Sequence, residues 1–177
     1  LNAKFSDRTI EYLRKREEFK NIDSSFFDDY LPNFKFTLDL WSMREGTVFF
    51  PNEPILRISG PSMQAQLAEP YILSVINYQT IIASKASRIR NVAGDKIILE
   101  FGTRRAHSPQ AGIYAARASY IGGFNGTSNV TADLELGIRA SGTMAHSFVQ
   151  KFGEEKSFEI FYNIYGHNSC LLYTSPS

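Results

Sequence analysis

The sequence predicts an α/β chain in two parts: helices with an antiparallel sheet up to about residue 95, then alternating strand and helix. Three observations predict this. Phe36, Leu38 and Leu40 alternate with Thr37, Asp39 and Trp41, which is the period of a half-buried strand. Ile72, Val75, Ile76, Ile82, Ala83 and Ile89 recur instead at helical spacing, as a stripe against a core. After Ala93-Gly-Asp95, short apolar runs and helix-like stretches follow one another strictly, the pattern of parallel βα units. The predicted domains are therefore residues 1–95 and 96–177.

Ser6 caps a first surface helix that places Ile10 and Leu13 on one face. A second short helix begins after Asp23 or Ser24, turns Phe26, Phe27 and Tyr30 inward and is limited by Pro32. Further extended runs at 47–50 and 55–59, set apart by Gly46 and Pro51-Asn-Glu-Pro54, complete a three-stranded antiparallel sheet. A long helical stretch from about Ser62 to Asn91 is interrupted at Pro70, which opens a second helix because a missing N–H costs nothing in a first turn. Then come a strand at 97–101, a helix near 109–119, the turn Gly122-Gly-Phe-Asn-Gly126 and a helix near 128–136. A strand at 138–142, helices near 146–151 and 155–165 and a strand at 169–173 follow. Three parallel strands cannot close an eight-stranded barrel, so the chain is expected to be a fragment or to complete its sheet with something else.

Composition narrows the function classes. The 177 residues are 43% hydrophobic, enough for a packed core. Lys plus Arg number 19 against 18 Asp plus Glu, so no whole-chain field argues for nucleic acid or a membrane surface. Between Lys85 and Arg117, however, Lys85, Arg88, Arg90, Lys96, Arg104, Arg105 and Arg117 face only Asp95 and Glu100. That excess suits a small anionic ligand, and equally a solvated helix face with a loop. Cys170 is the only cysteine; no intrachain disulfide is possible, which fits a reducing cytoplasm, and Ser169-Cys-Leu-Leu172 reads as core. No secretory signal is read. The longest apolar helical region, Tyr71 to Ile89, carries Asn77, Gln79, Lys85 and Arg88 and cannot span a bilayer. His107, His146 and His167 are too scattered to form a metal-ligand set.

Two strand-to-helix corners draw the eye to chemistry: Glu100-Phe-Gly-Thr-Arg-Arg-Ala106 and Ser141-Gly-Thr-Met-Ala-His-Ser147. Loops after parallel strands are where ligands bind, because side chains and helix N-termini converge there. Arg104 or Arg105, whichever points inward from an extended backbone, offers a planar fork to a carboxylate or phosphate. His146, in the first turn of its helix and surrounded by small residues, offers acid/base exchange or phosphoryl transfer. The turn Gly122-Gly-Phe-Asn-Gly126 before Thr127-Ser-Asn-Val130 offers bare N–H groups to an anion. Each of these also has an ordinary structural use.

Trp41-Ser-Met-Arg-Glu-Gly-Thr-Val-Phe-Phe-Pro-Asn-Glu-Pro-Ile-Leu-Arg57, the two corners above and Ile121-Gly-Gly-Phe-Asn-Gly-Thr-Ser-Asn-Val130 together resemble the nicotinate phosphoribosyltransferase family, from about residue 6 to 172. The resemblance implies a sandwich-like N-terminal domain on an incomplete (β/α) barrel, working as a cytoplasmic homodimer with sites at its interface. It implies an enzyme of NAD biosynthesis that joins nicotinate to phosphoribosyl pyrophosphate, with ATP as co-substrate and Mg on the pyrophosphate. His146 then matches the phosphorylated histidine, and Arg104 the partner of the nicotinate carboxylate. Phe101 lies beneath the ring, and Thr103, Gly142 and Ser147 belong to the pocket. Ser128 stands where related nicotinamide enzymes carry an aspartate, which favours the acid over the amide. Arg104 and His146 are expected to share one cavity mouth.

Departures from the family are expected to matter. Its earlier N-terminal segment, which supplies an aromatic residue across the dimer, does not precede Leu1. Tyr173-Thr-Ser-Pro-Ser177 stands in place of an acidic strand end and reads as foreign or frame-shifted. The remaining barrel strands are missing, so the chain alone is not expected to turn over substrate. The competing readings are a non-catalytic ligand-binding or interaction module, and a nicotinamide or quinolinate phosphoribosyltransferase. Quinolinate has two carboxylates and its decarboxylation calls for further cationic groups.

Overall fold

The structure, a computed structural model, describes residues 4–168. It falls into two compact units that divide between Val75 and Ile76. The strand expected at 169–173, Cys170 and the tail lie outside the described residues.

In the first unit, helix α1 (Asp7–Arg14) starts where expected: the Ser6 hydroxyl accepts from the Thr9 N–H at 3.2 Å. Ile10, Phe27 and Leu31 form its core, with Phe5, Leu13, Phe19 and Phe26 packed around them. The second helix is a single π-helical turn, Phe26–Tyr30. Phe27 is buried there as expected, whereas Tyr30 remains exposed and stacks on Phe26 with ring centroids 5.6 Å apart. Edge-to-face contacts from Phe5 to Phe34 and from Phe34 to Phe36, 5.1 and 5.0 Å between centroids, extend the aromatic cluster.

Strands β1 (Asp39–Ser42) and β2 (Leu56–Ser59) pair antiparallel, Leu40 opposite Ile58 and Trp41 opposite Arg57. The expected middle strand at 47–50 is not formed. Its backbone groups go into turns instead: the Thr47 N–H donates to the Arg44 carbonyl, the Phe50 N–H to the Glu53 carboxylate at 2.8 Å, and Asn52 has φ +69°. Groups closed into turns in this way are not available to a ladder.

Helix α2 (Ser62–Ala93) runs without a break through Pro70, which the sequence reading took as a helix start. Inside a helix a proline forfeits one hydrogen bond and crowds the carbonyl four residues back, at a cost of about 3 kcal/mol. Gln64, buried near the start of α2, accepts from the Thr37 N–H at 2.8 Å. The less exposed positions on α2 include Ile72, Val75, Ile76, Gln79, Ile82, Ala83 and Ala86, at helical spacing; Ile89, expected among them, is exposed.

In the second unit, β3 (Leu99–Glu100), α3 (Pro109–Ile121), β4 (Gly126–Thr127), α4 (Val130–Leu136), α5 (His146–Phe152) and α6 (Glu154–Tyr165) follow in order. Strands β3 and β4 are parallel, and Thr127 makes a parallel bridge to Ala140, all that is formed of the strand expected at 138–142. The mixed α/β class of the sequence reading is thus observed. Helix α3 buries Gly112, Ala115, Ala116, Ala118 and Ser119, a face of small residues that allows close approach. Two glycines of the turn after α3 have the same steric role. A Cβ on Gly122 would stand 2.6 Å from the Ala86 Cβ, and one on Gly126 would stand 2.5 Å from the Arg139 carbonyl oxygen.

Arg90 closes this unit from α2. Its guanidinium donates to the carbonyls of Gly123, Gly94 and Lys96 at 2.6, 2.9 and 2.7 Å and to the Asn125 side-chain oxygen at 2.5 Å. Asn125 in turn accepts from the Ile98 N–H at 2.8 Å and its own N–H donates to the Ile98 carbonyl at 2.8 Å. One of the seven cations read from sequence as suited to an anionic ligand is therefore committed to structure. Hydrogen bonds to charged groups contribute roughly 1.5–3 kcal/mol each when broken. Arg90→Leu, which keeps much of the apolar stem, is expected to lower unfolding stability by about 2–3 kcal/mol, read as the midpoint shift in urea at unchanged m-value.

Candidate active site

The parallel order β3, β4, Ala140 aligns three strand ends, so that residues 101–105, 128–129 and 141–142 leave the sheet at the same edge. This register is reinforced by hydrogen bonds at the ends themselves. The Ser128 N–H donates to the Glu100 carbonyl and the Ser141 N–H to the Thr127 carbonyl, both at 2.8 Å. Phe101, Thr103, Arg104, Ser128 and Gly142 from the sequence reading all belong to this edge.

Their exposures differ in a way that separates anchors from free groups. Thr103 and Ser128 are half-buried, while Phe101 is 46% exposed and Arg104 and Arg105 are both exposed. The backbone carrying the two arginines is not extended, as the sequence reading assumed, but a 3-10 turn over Thr103–Arg105. Neither guanidinium takes part in a hydrogen bond or ion pair among the described residues. A Cβ built on Gly142 would meet nothing within 4 Å, so space is open there.

Beneath the exposed groups lies a polar assembly that the sequence reading did not single out. Glu100 is only 7% exposed. One carboxylate oxygen accepts from the Gly102 N–H, and the other accepts from the Thr127 hydroxyl at 2.7 Å. Thr127, fully buried, in turn accepts from the Asn129 N–H at 3.0 Å. The Asn129 amide donates to the Thr103 hydroxyl at 3.3 Å, and its oxygen caps α4 by accepting from the Ala132 N–H at 3.1 Å. Asp133 holds the third strand end, accepting from the Ala140 N–H at 2.8 Å. The available signal in the sequence was a carboxylate closing an apolar run, with a glycine two residues on. A Cβ on Gly102 would lie 2.9 Å from the Glu100 oxygen, so a side chain there would press on the carboxylate.

His146 is the first residue of α5 and is exposed, as is Ser147. Helix α5 packs on α6, where the Ser157 hydroxyl donates to the Phe148 carbonyl at 3.3 Å. Among the described residues no hydrogen bond or ion pair joins His146 or Ser147 to the strand-end residues. Nor do any three His, Cys, Asp or Glu side chains gather there as a metal-ligand set. No helix among the described residues is long and apolar enough to cross a membrane.

Behind Glu100 stands Tyr78 of α2, whose hydroxyl donates to the Ala111 carbonyl at 3.1 Å. Burial, and then the charge of Glu100, hold its phenol above the ordinary value of 10.0. A phenol whose pKa is raised by folding stabilises the fold below the unfolded value, and that contribution is lost as pH climbs through the folded one. Stability is therefore expected to fall above about pH 10, and Tyr78→Phe is expected to flatten that alkaline slope in a urea-midpoint series against pH.

Comparison with known proteins places the chain in a family. Residues 1–77 match the model of the nicotinate phosphoribosyltransferase N-terminal domain, and residues 97–173 match the nicotinate phosphoribosyltransferase family. The chain is 47% identical over 157 residues to nicotinate phosphoribosyltransferase of Bacillus subtilis, covering 87% of this chain and 31% of that protein. It is 41% identical over 172 residues to nicotinate phosphoribosyltransferase pncB2 of Mycobacterium tuberculosis, covering 97% of this chain and 36% of that one. The crystal structure of human nicotinic acid phosphoribosyltransferase superposes with a TM-score of 0.76 at 36% identity, covering 84% of this chain and 30% of the human one. The chain thus spans about a third of the length of these relatives. Two successive family matches, the identities and the shared fold agree, and the chain belongs to the nicotinate phosphoribosyltransferase family.

Proposed function

We propose that this chain carries the nicotinate-recognising edge of an enzyme that joins nicotinate to phosphoribosyl pyrophosphate, giving nicotinate mononucleotide and pyrophosphate for NAD biosynthesis. The observation that supports it best is the unpartnered Arg104 guanidinium in the turn that follows the exposed Phe101, at a parallel strand end. A cation free of protein partners at a ligand-binding edge suits a carboxylate, and an exposed ring beside it suits an aromatic acid. Ser128, at the end of the neighbouring strand, puts no negative charge against that acid, and Thr103, Gly142 and Ser147 complete the pocket.

In the reaction the pyridine nitrogen attacks the anomeric carbon. The new C–N bond forms as the C–O bond to pyrophosphate breaks, and the electron pair leaves with pyrophosphate. Such a displacement is driven by positioning and charge stabilisation, so the chain's contribution is to hold the acid in line. His146 is the proposed acceptor of the ATP γ-phosphoryl group: an imidazole nitrogen attacks phosphorus, ADP leaves, and the phosphohistidine later loses phosphate to water. Phosphoribosyl pyrophosphate would arrive with a magnesium ion held by its pyrophosphate oxygens and water, and no described residue is assigned to that ion. No step is routed through it. We further propose a cytoplasmic homodimer, with residues 1–95 and 96–177 as the functional domains. The relatives, each named for this enzyme, do not favour a non-catalytic module or the nicotinamide and quinolinate alternatives.

Two measurements on the enzyme containing this sequence test the reading. Arg104→Ala is expected to raise the KM for nicotinate about 10- to 100-fold, as for loss of a charge-assisted bond, and by more than Phe101→Leu does. Equal effects would count against the assignment. His146→Ala is expected to abolish phosphoryl labelling from γ-labelled ATP while nicotinate binding stays measurable, and labelling that survives would place the phosphate elsewhere.

A further inference from the structure

The hydrogen bonds beneath the candidate site close a ring. From Glu100 it runs through the Thr127 hydroxyl, the Asn129 backbone and amide, and the Thr103 hydroxyl, and returns along the chain to the Gly102 N–H on the Glu100 carboxylate. The residues proposed to face the substrate are carried by this ring: Phe101 and Arg104 lie along its β3 side, and Ser128 sits between Thr127 and Asn129 on its β4 side. The Ser128 N–H is tied across to the Glu100 carbonyl. Helix α3 abuts the ring from behind, where a Cβ on Gly112 would stand 3.0 Å from the Thr103 methyl and 3.5 Å from the Asn129 amide nitrogen. Little freedom is left to the ring, and Glu100, Thr127 and Asn129 need not touch substrate to set the separation of the groups that do.

We propose that Glu100 is a positioning residue for pyridine-acid recognition, fixing through this ring the spacing between Arg104 and residue 128 and so the preference for the acid over the amide. The inference rests on the nicotinate reading of the site. A glutamate suits the task because two acceptor oxygens are both consumed, one by each strand end. Glutamine would keep one acceptor for the Gly102 N–H but turn an N–H₂ toward the Thr127 hydroxyl, which could then only accept and would lose the charged acceptor of its own O–H, at unchanged volume.

The test is steady-state kinetics of the complete enzyme with Glu100→Gln. The expected result is a nicotinate KM raised about tenfold, the loss of roughly one hydrogen bond to a charged group. The KM for phosphoribosyl pyrophosphate should stay unchanged, and the ratio of kcat/KM for nicotinate over nicotinamide should fall. A merely structural role would lower the active fraction, hence kcat, and leave both KM values alone; that outcome overturns the inference. Asn129→Ser guards against a variant that fails to fold. Serine still caps α4 but is too short to reach Thr103, and a nicotinate KM raised about threefold is expected; an unchanged one overturns the ring. Thr127→Ser, which keeps the hydroxyl, should retain the parent KM. Arg104→Ala separates the two readings: if it raises the nicotinate KM and Glu100→Gln does not, the ring proposal fails alone, and if Arg104→Ala has no effect, the nicotinate reading fails with it.

Discussion

A buried carboxylate joining two parallel strand ends is the constraint on which the second unit is organised. Glu100 is almost wholly removed from water, and a group in that position is tolerated only when its oxygens are matched by donors. Here the donors come from different places in the chain, the Gly102 N–H immediately ahead and the Thr127 hydroxyl on the next strand. Among the described residues no buried side-chain polar atom is left unsatisfied. Because both oxygens are engaged, neither strand end can shift without exposing an unpaired charge, which is more costly than any single contact at the rim.

Close packing does the remaining work. Strands of two residues contribute few ladder bonds, and the unit compensates with small residues and with Arg90. Ala115, Ala116 and Ala118 let α3 approach the sheet, and Gly122 and Gly126 occupy places where a side chain would overlap a neighbour. Arg90 gathers three carbonyls from two loops that would otherwise need water. The rigid layer thus lies below the edge, and the groups free of protein partners lie above it, an arrangement that keeps a binding surface pre-organised.

Charge is distributed accordingly. Arg90 and Arg117, counted in the sequence among cations available to an anion, serve the fold: Arg117 donates to the Gln79 side chain at 3.0 Å. Arg104 and Arg105 carry no such commitment. The difference lies in what surrounds each guanidinium, since the four side chains are chemically identical.

Much was determined by the sequence alone. Ser6, Asn129 within Thr127-Ser-Asn, and the helical stripe from Ile72 to Ala83 declare helices through local chemistry, a cap oxygen or a period, that needs no distant partner. The family motifs likewise marked Phe101, Arg104, Ser128 and His146 as residues of interest. Tertiary structure decided the rest. The expected strand at 47–50 had the right composition but its backbone groups closed into turns, and Pro70 was carried inside a helix whose remaining bonds outweigh one lost. Glu100 read as an ordinary charge at the end of an apolar run. Only the pairing of β3 with β4 brings Thr127 to its carboxylate, because a hydrogen bond between residues 27 apart depends on strand register, which no local pattern encodes.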